Sequence, residues 1–151
     1  MPKYYNEVII HRTKEDVFDY VTQPWRWCEW HPSSQSAHKP KDVLELNDEF
    51  DEVIRFQPID ALPFYIRKAT HYHVTMTDRA VVWEVQGEMN GGKLTIHYDF
   101  KDAPEGTLFC RTLTYDVSGL NRLLQPILDP KMEKLSGVAV NNLKAKLESM
   151  Q

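Results

Sequence analysis

No stretch of this sequence approaches the run of about 20 apolar residues that a membrane-spanning helix needs. Its opening, MPKYYNEVII, lacks the basic, apolar and cleavage regions of a secretory signal. The expectation is a cytoplasmic protein without stable membrane insertion. Basic residues do not predominate either: Lys plus Arg number 18 against 22 Asp plus Glu, a formal net charge of −4. A nucleic-acid partner needs a concentrated basic face, so none is expected. The only cysteines, Cys28 and Cys110, stand far apart in no metal or redox spacing and read as two reduced thiols. There is no His-Glu-x-x-His, no phosphate-cradling glycine loop and no recognisable nucleophile–base set. No cofactor is expected. Repeats, low-complexity tracts and linkers are absent too, so residues 1–151 read as a single domain. Hydrophobic residues at 42% suffice for an ordinary core at this length.

What is present is led by the C-terminal stretch 120–151, the one long segment with helical periodicity. From Leu124 its apolar residues fall at Leu128, Met132, Leu135, Ala139, Leu143, Leu147 and Met150, in steps of three or four that keep one stripe on one face. Pro126 and Pro130 come early. The spacing therefore predicts a short first turn or kink, then a main helix with Asp129 as N-cap and Pro130 in its first position. From Pro130 to Met150 such a helix would run about 30 Å.

Ahead of it the elements are shorter. Tyr4–His11 reads as a strand. Thr13 opens a helix with Asp16 three residues on, and Val17, Phe18, Tyr20 and Val21 form its apolar side. PWRWCEWHP reads as a second short helical piece, and 33–41 as a polar loop. Lys41–Leu46 and Glu49–Phe56 read as strands joined by a turn at Asn47-Asp48. After the connection QPIDALPF come strands over Tyr65–Thr77, Ala80–Glu88, Lys93–Lys101 and Thr107–Val117. These turn at Asp78-Arg79, Asn90-Gly91-Gly92 and Ala103–Gly106, and Gly119 leads into the final helix.

Meander strands followed by a terminal helix imply an α+β fold, with the helix on one face of a curved antiparallel sheet. Alternation assigns Leu94, Ile96, Tyr98 and Phe100, then Val81, Trp83 and Val85, then Ile66, Tyr72, Val74 and Met76 to the covered face. The same alternation puts His71, His73 and His97 outside, so no metal site is expected.

Three stretches carry a family resemblance. TKEDVFDYVTQPWRWCEWHPS is similar to the first-helix region, ending in a tryptophan-proline element, of the START-related helix-grip superfamily. APEGTLFCRTL, residues 103–113, resembles the turn before that family's last strand. AVNNLKAKLES, residues 139–149, resembles its leucine-lysine ending. Within the superfamily the likeness is to the polyketide cyclase/dehydrase and lipid-transport group, and the three stretches in order span almost the whole chain. The resemblance implies a helix-grip fold. In it a curved sheet of about six to seven strands wraps the long C-terminal helix, and two short helices follow the first strand. It also implies an apolar cavity that takes a hydrophobic small molecule. Members include lipid carriers, aromatase/cyclases and quinone-binding proteins, so the fold leaves function open. Carriage or sensing of a hydrophobic, aromatic or polyketide- or lipid-like molecule leads, because no catalytic motif is present. A cyclase/dehydrase-like enzyme and a protein-interaction module are the alternatives, and no oligomeric state is implied.

Each candidate site residue has two readings. Trp25, Trp27 and Trp30 either line a cavity mouth or anchor the short helices. Tyr72, Trp83 and Tyr98 form either an aromatic wall beneath the helix or ordinary core. Arg111 shares parity with Phe109, Leu113, Tyr115 and Val117. Inward, it buries a guanidinium that needs a partner; outward, it lies in water. Glu52, in parity with Phe50, Ile54 and Phe56, poses the mirror question. Glu52, Tyr98 and Arg111 are the candidates for catalysis. On the helix, Leu128, Met132 and Leu135 are the positions expected to touch a ligand.

Overall fold

Alternating apolar residues build one antiparallel sheet, and the C-terminal stripe lays a helix against it. The computed structural model describes residues 3–118 and 120–150; Gly119 and Gln151, assigned above to the ends of the last helix, lie outside them. In chain order the elements are β1 (Lys3–Ile10), α1 (Lys14–Val21), a 3-10 segment (Pro24–Glu29), β2 (Ser34–Ala37), β3 (Glu49–Phe56), β4 (Ile66–Asp78), β5 (Val82–Met89), β6 (Gly92–Ala103), β7 (Gly106–Val117) and α2 (Leu120–Ser149). The seven strands lie in the order β1-β7-β6-β5-β4-β3-β2, every neighbour antiparallel. The sheet curls into a half-barrel around α2, the helix-grip arrangement.

Local chemistry explains the boundaries. Thr13 caps α1 by accepting from the Asp16 amide at 3.1 Å. At the β5–β6 hairpin Met89 pairs with Gly92, and Gly91 takes the φ of 88° that a tight turn requires. Two strand expectations are corrected. Lys41–Leu46 is no strand, because its polar groups close a local turn. The Glu45 amide donates to the Asp48 carboxylate at 2.6 Å, Lys41 pairs with the same carboxylate, and Asn47 takes a φ of 70°. The strand lies instead in the polar stretch read as a loop, where Ser34–Ala37 pairs along β3 as the sheet edge. Two inward assignments also fail. The register slips between Val74 and Met76 and turns Met76 outward, while Val81 precedes β5 and is exposed.

The last helix is a third correction. It runs unbroken through both prolines, and Asp129 is an interior residue instead of an N-cap. The two prolines are four residues apart and both exposed, so water can reach the carbonyls their missing N–H groups leave unpaired. Asp129 turns to the sheet and accepts from the Tyr4 hydroxyl at 2.7 Å and from the Tyr115 hydroxyl. The two halves of α2 differ in burial. From residue 136 onward Ser136, Ala139, Val140, Leu143 and Leu147 are buried. Each of the large apolar side chains among them contributes about 1.5–3 kcal/mol. The earlier half leaves Leu123, Leu124 and Ile127 exposed and covers space instead of filling it.

Candidate functional site: a ring-lined cavity with a polar end

Beneath the first half of α2 lies a cavity of about 120 Å3. That approaches the ~150 Å3 of engineered apolar cavities that accept benzene. Trp27, Ile54, Phe56, Ile96, Leu113 and Leu128 are among its apolar walls. Rings continue behind them. Trp27 meets Phe50, Tyr72 and Trp83 edge-on at 5.7, 5.9 and 6.1 Å, Phe50 stacks on Tyr72 at 4.9 Å, and Trp83 stacks on Tyr98 at 5.4 Å. The lining reaches the β5–β6 turn at Gly91-Gly92 and the charged, exposed Lys93 and Asp116, which mark an opening.

The cavity also holds a group of buried polar side chains. Glu52 on β3 is 4% exposed and accepts from the Ser34 hydroxyl at 2.6 Å and from the Tyr72 hydroxyl at 3.1 Å. Burial pushes its pKa up to about 7, against the pull of those two hydrogen bonds and of Arg111. Tyr72 reaches it because its ring lies over Gly87. A Cβ at Gly87 would stand 2.6 Å from the ring, so any side chain there would displace it. Arg111 is 3% exposed and sits opposite Tyr98 in the β6–β7 register. Its Nη1 donates to the Ser136 hydroxyl at 3.3 Å, and among the described residues its Nε has no partner. Burial raises the Tyr98 hydroxyl to about 12, with the guanidinium pulling the other way. His31 accepts the Ser33 amide on Nδ1 at 3.2 Å, which places its proton on Nε2. Burial and then Arg111 hold its pKa well below the ordinary value, so the ring stays neutral.

Of the residues singled out in the sequence, Trp30, Tyr72, Tyr98, Arg111, Leu128, Met132 and Glu52 line this cavity. Trp83 does not, because it lies behind Tyr98 and is wholly buried. Leu135 does not, because the stripe facing the cavity runs Leu128, Met132, Ser136 in steps of four. Trp27 both anchors, its indole donating to the Val21 carbonyl at 2.8 Å, and lines the cavity. Trp25 is partly buried and packs against the core under the Lys39 ammonium. Sequence reasoning missed His31, Ser33, Ser34 and Ser136. Only Ser136 left a signal, a small polar residue on an otherwise apolar helical stripe. Among the described residues no three His, Cys, Asp or Glu side chains cluster as metal ligands, and no helix is long and apolar enough to cross a membrane.

Solved structures share this architecture. A Thermus thermophilus protein superposes with a TM-score of 0.71 at 15% identity, over 97% of each chain. A Chromobacterium violaceum protein does so at 0.73 and 8% identity, over 98% of each. The Zhui aromatase/cyclase of a Streptomyces species gives 0.72 at 9% identity, over 97% of this chain and 93% of that one. At such identities the likeness shows the fold alone. No curated protein matches the sequence. The family model described as polyketide cyclase / dehydrase and lipid transport matches residues 1–148, and the chain belongs to that family.

Proposed function

We propose that the chain binds an apolar, ring-bearing small molecule in the space between its sheet and α2, as a carrier or sensor. The observation that carries this reading is the cavity itself. The first half of α2 sends Leu128 and Met132 inward but leaves Leu123, Leu124 and Ile127 exposed, so a volume near that of a benzene site stays unfilled between it and the sheet. Flat rings along the walls suit stacking on a planar ligand. Titration with the fluorophore 1-aminonaphthalene tests it. The wild type should bind with a blue shift, and Ile96→Phe, which places a ring in the lumen, should lose binding with little change in Tm. Binding that survives Ile96→Phe puts the ligand elsewhere.

A second reading, cyclase/dehydrase-like catalysis, is favoured by one observation: Glu52, with its pKa about 7, opens onto the same space as Arg111. Such a carboxylate can remove a proton beside a carbonyl while a guanidinium receives the developing oxyanion. The check is deuterium exchange at the carbon next to the carbonyl of 1-tetralone. Faster exchange with wild type than with Glu52→Gln supports catalysis, and equal rates leave binding alone.

A further inference from the structure

The polar end of the cavity has more positive donors than acceptors. Arg111 is almost completely buried, and its partners are neutral hydroxyls: Nη1 donates to Ser136, and the Tyr98 hydroxyl also meets the guanidinium. Among the described residues its Nε–H meets no acceptor, and neither does the indole N–H of Trp30, which is 2% exposed on the same lining. A buried guanidinium without a counter-charge is costly, and so is each buried N–H left unpaired. The near carboxylate does not resolve this. Glu52 is already engaged by Ser34 and Tyr72, and among the described residues no carboxylate stands within ion-pairing distance of Arg111. Of the other carboxylates nearby, Asp129 is taken by Tyr4 and Tyr115, and Asp116 is exposed at the opening.

The groups around the pair come from every neighbouring element. Tyr98 comes from β6, Tyr72 from β4, Ser34 from β2, His31 from the turn before β2, and Ser136 from α2. Asn6 of β1 stands beside Arg111 in register. His31 is neutral and the two tyrosines keep their protons, so Arg111 and Glu52 set the charge of the buried polar end, while Lys68, Lys93 and Asp116 reach the lining farther from full burial. With Glu52 neutral the buried polar end carries the one positive charge of Arg111. With Glu52 ionised, an entering anion would meet another anion.

We propose, on the cavity reading above, that the ligand is an apolar ring acid whose carboxylate docks on Arg111, and that Glu52 takes up a proton as it enters. A carboxylate matches the fork formed by Nε and an Nη of Arg111, which accepts two oxygens side by side. The proton balance closes on Glu52: its carboxylate becomes a carboxylic acid that donates to Ser34, whose hydroxyl can turn to accept.

The test is calorimetric titration at pH 7 with 4-ethylbenzoate and its uncharged counterpart 4-ethylbenzyl alcohol, in phosphate and in Tris. Wild type should prefer the acid by about tenfold or more. The heat for the acid alone should differ between the buffers, reporting uptake of about half a proton per ligand. Arg111→Met should lose the preference while keeping its affinity for the alcohol. Arg111→Lys, which keeps the charge without the fork, should retain part of the preference. Glu52→Gln should keep acid binding and lose the buffer dependence. Equal wild-type affinities for acid and alcohol, or a preference that survives Arg111→Met, would overturn the acid assignment and leave the cavity reading standing. Identical acid heats in both buffers would overturn the proton uptake. If neither probe binds wild type, both readings fall together.

Discussion

Glu52 titrates near 4.5 when solvated and at about 7 in the fold, chiefly because burial disfavours its charged form. Between those values the folded chain keeps a proton that the unfolded chain has released. Its contribution to stability is therefore present below about pH 4.5 and is lost as pH rises through about 7, a difference of about 3 kcal/mol. His31 works in the opposite sense. Its folded pKa is lowered, so its neutral state costs stability only as pH falls below the ordinary histidine range. Glu52→Gln removes the first slope and leaves the second. Thermal unfolding from pH 5 to pH 8 should show the variant gaining on wild type as pH rises, and a gap that does not change with pH would contradict the neutral Glu52. Trp83→Ala separates core from cavity. Trp83 is wholly buried behind Tyr98, so its loss should cost about 3–5 kcal/mol in denaturant unfolding. The protein that remains folded should bind 1-aminonaphthalene as before; weaker binding would make Trp83 part of the wall. Parity grouped Glu52 and Arg111 with apolar neighbours but left open whether they point inward, and burial in the fold decides it for both. Parity could not separate Tyr98, which meets the cavity, from Trp83, which meets Tyr98, because both point the same way and differ only in depth.

At the scale of elements, α2 is two helices' worth of behaviour in one continuous rod. Its second half is held by apolar burial. Its first half is held by polar ties: the Asp129 carboxylate to Tyr4 and Tyr115, and Lys131 and Lys134 to Asp60 of the β3–β4 connection. The Lys134–Asp60 pair is largely exposed and contributes little. The ties that remain are Asp129, bound to two hydroxyls, and Lys131. Asp129→Ala should raise amide hydrogen exchange across residues 122–135 by about tenfold, the effect of losing a hydrogen-bonding group of about 1–2 kcal/mol, while residues 139–147 stay protected. Equal acceleration in both halves would mean that the helix opens as a unit. Sequence rules misplaced the start of this helix because they weigh a proline and an aspartate by local preference. Two hydroxyls from distant strands, β1 and β7, claimed Asp129, and solvent exposure made both prolines tolerable. The edge strand β2 was invisible for a related reason. Ser34 serves Glu52, so its polarity reflects a buried partner where alternation rules expect an apolar side chain.

For the whole molecule, the meander, the terminal helix and the direction of most strand faces followed from periodicity, turns and family likeness together. The chamber did not, because its polar end is assembled from the turn before β2 and from β2, β3, β4, β6, β7 and α2, which no local pattern connects. The strand order has a further consequence, in the timing of folding. β1 is the first strand made, yet its partner is the last, with Lys3 opposite Thr114. Through synthesis of everything between, β1 has no strand to pair with, whereas β3 to β7 each bond to the strand just before and can form as they appear. Closing so long a loop comes late and slowly. The chain should thus assemble its meander first and seat β1 and α2 together at the end. The chamber then exists only once both termini have arrived.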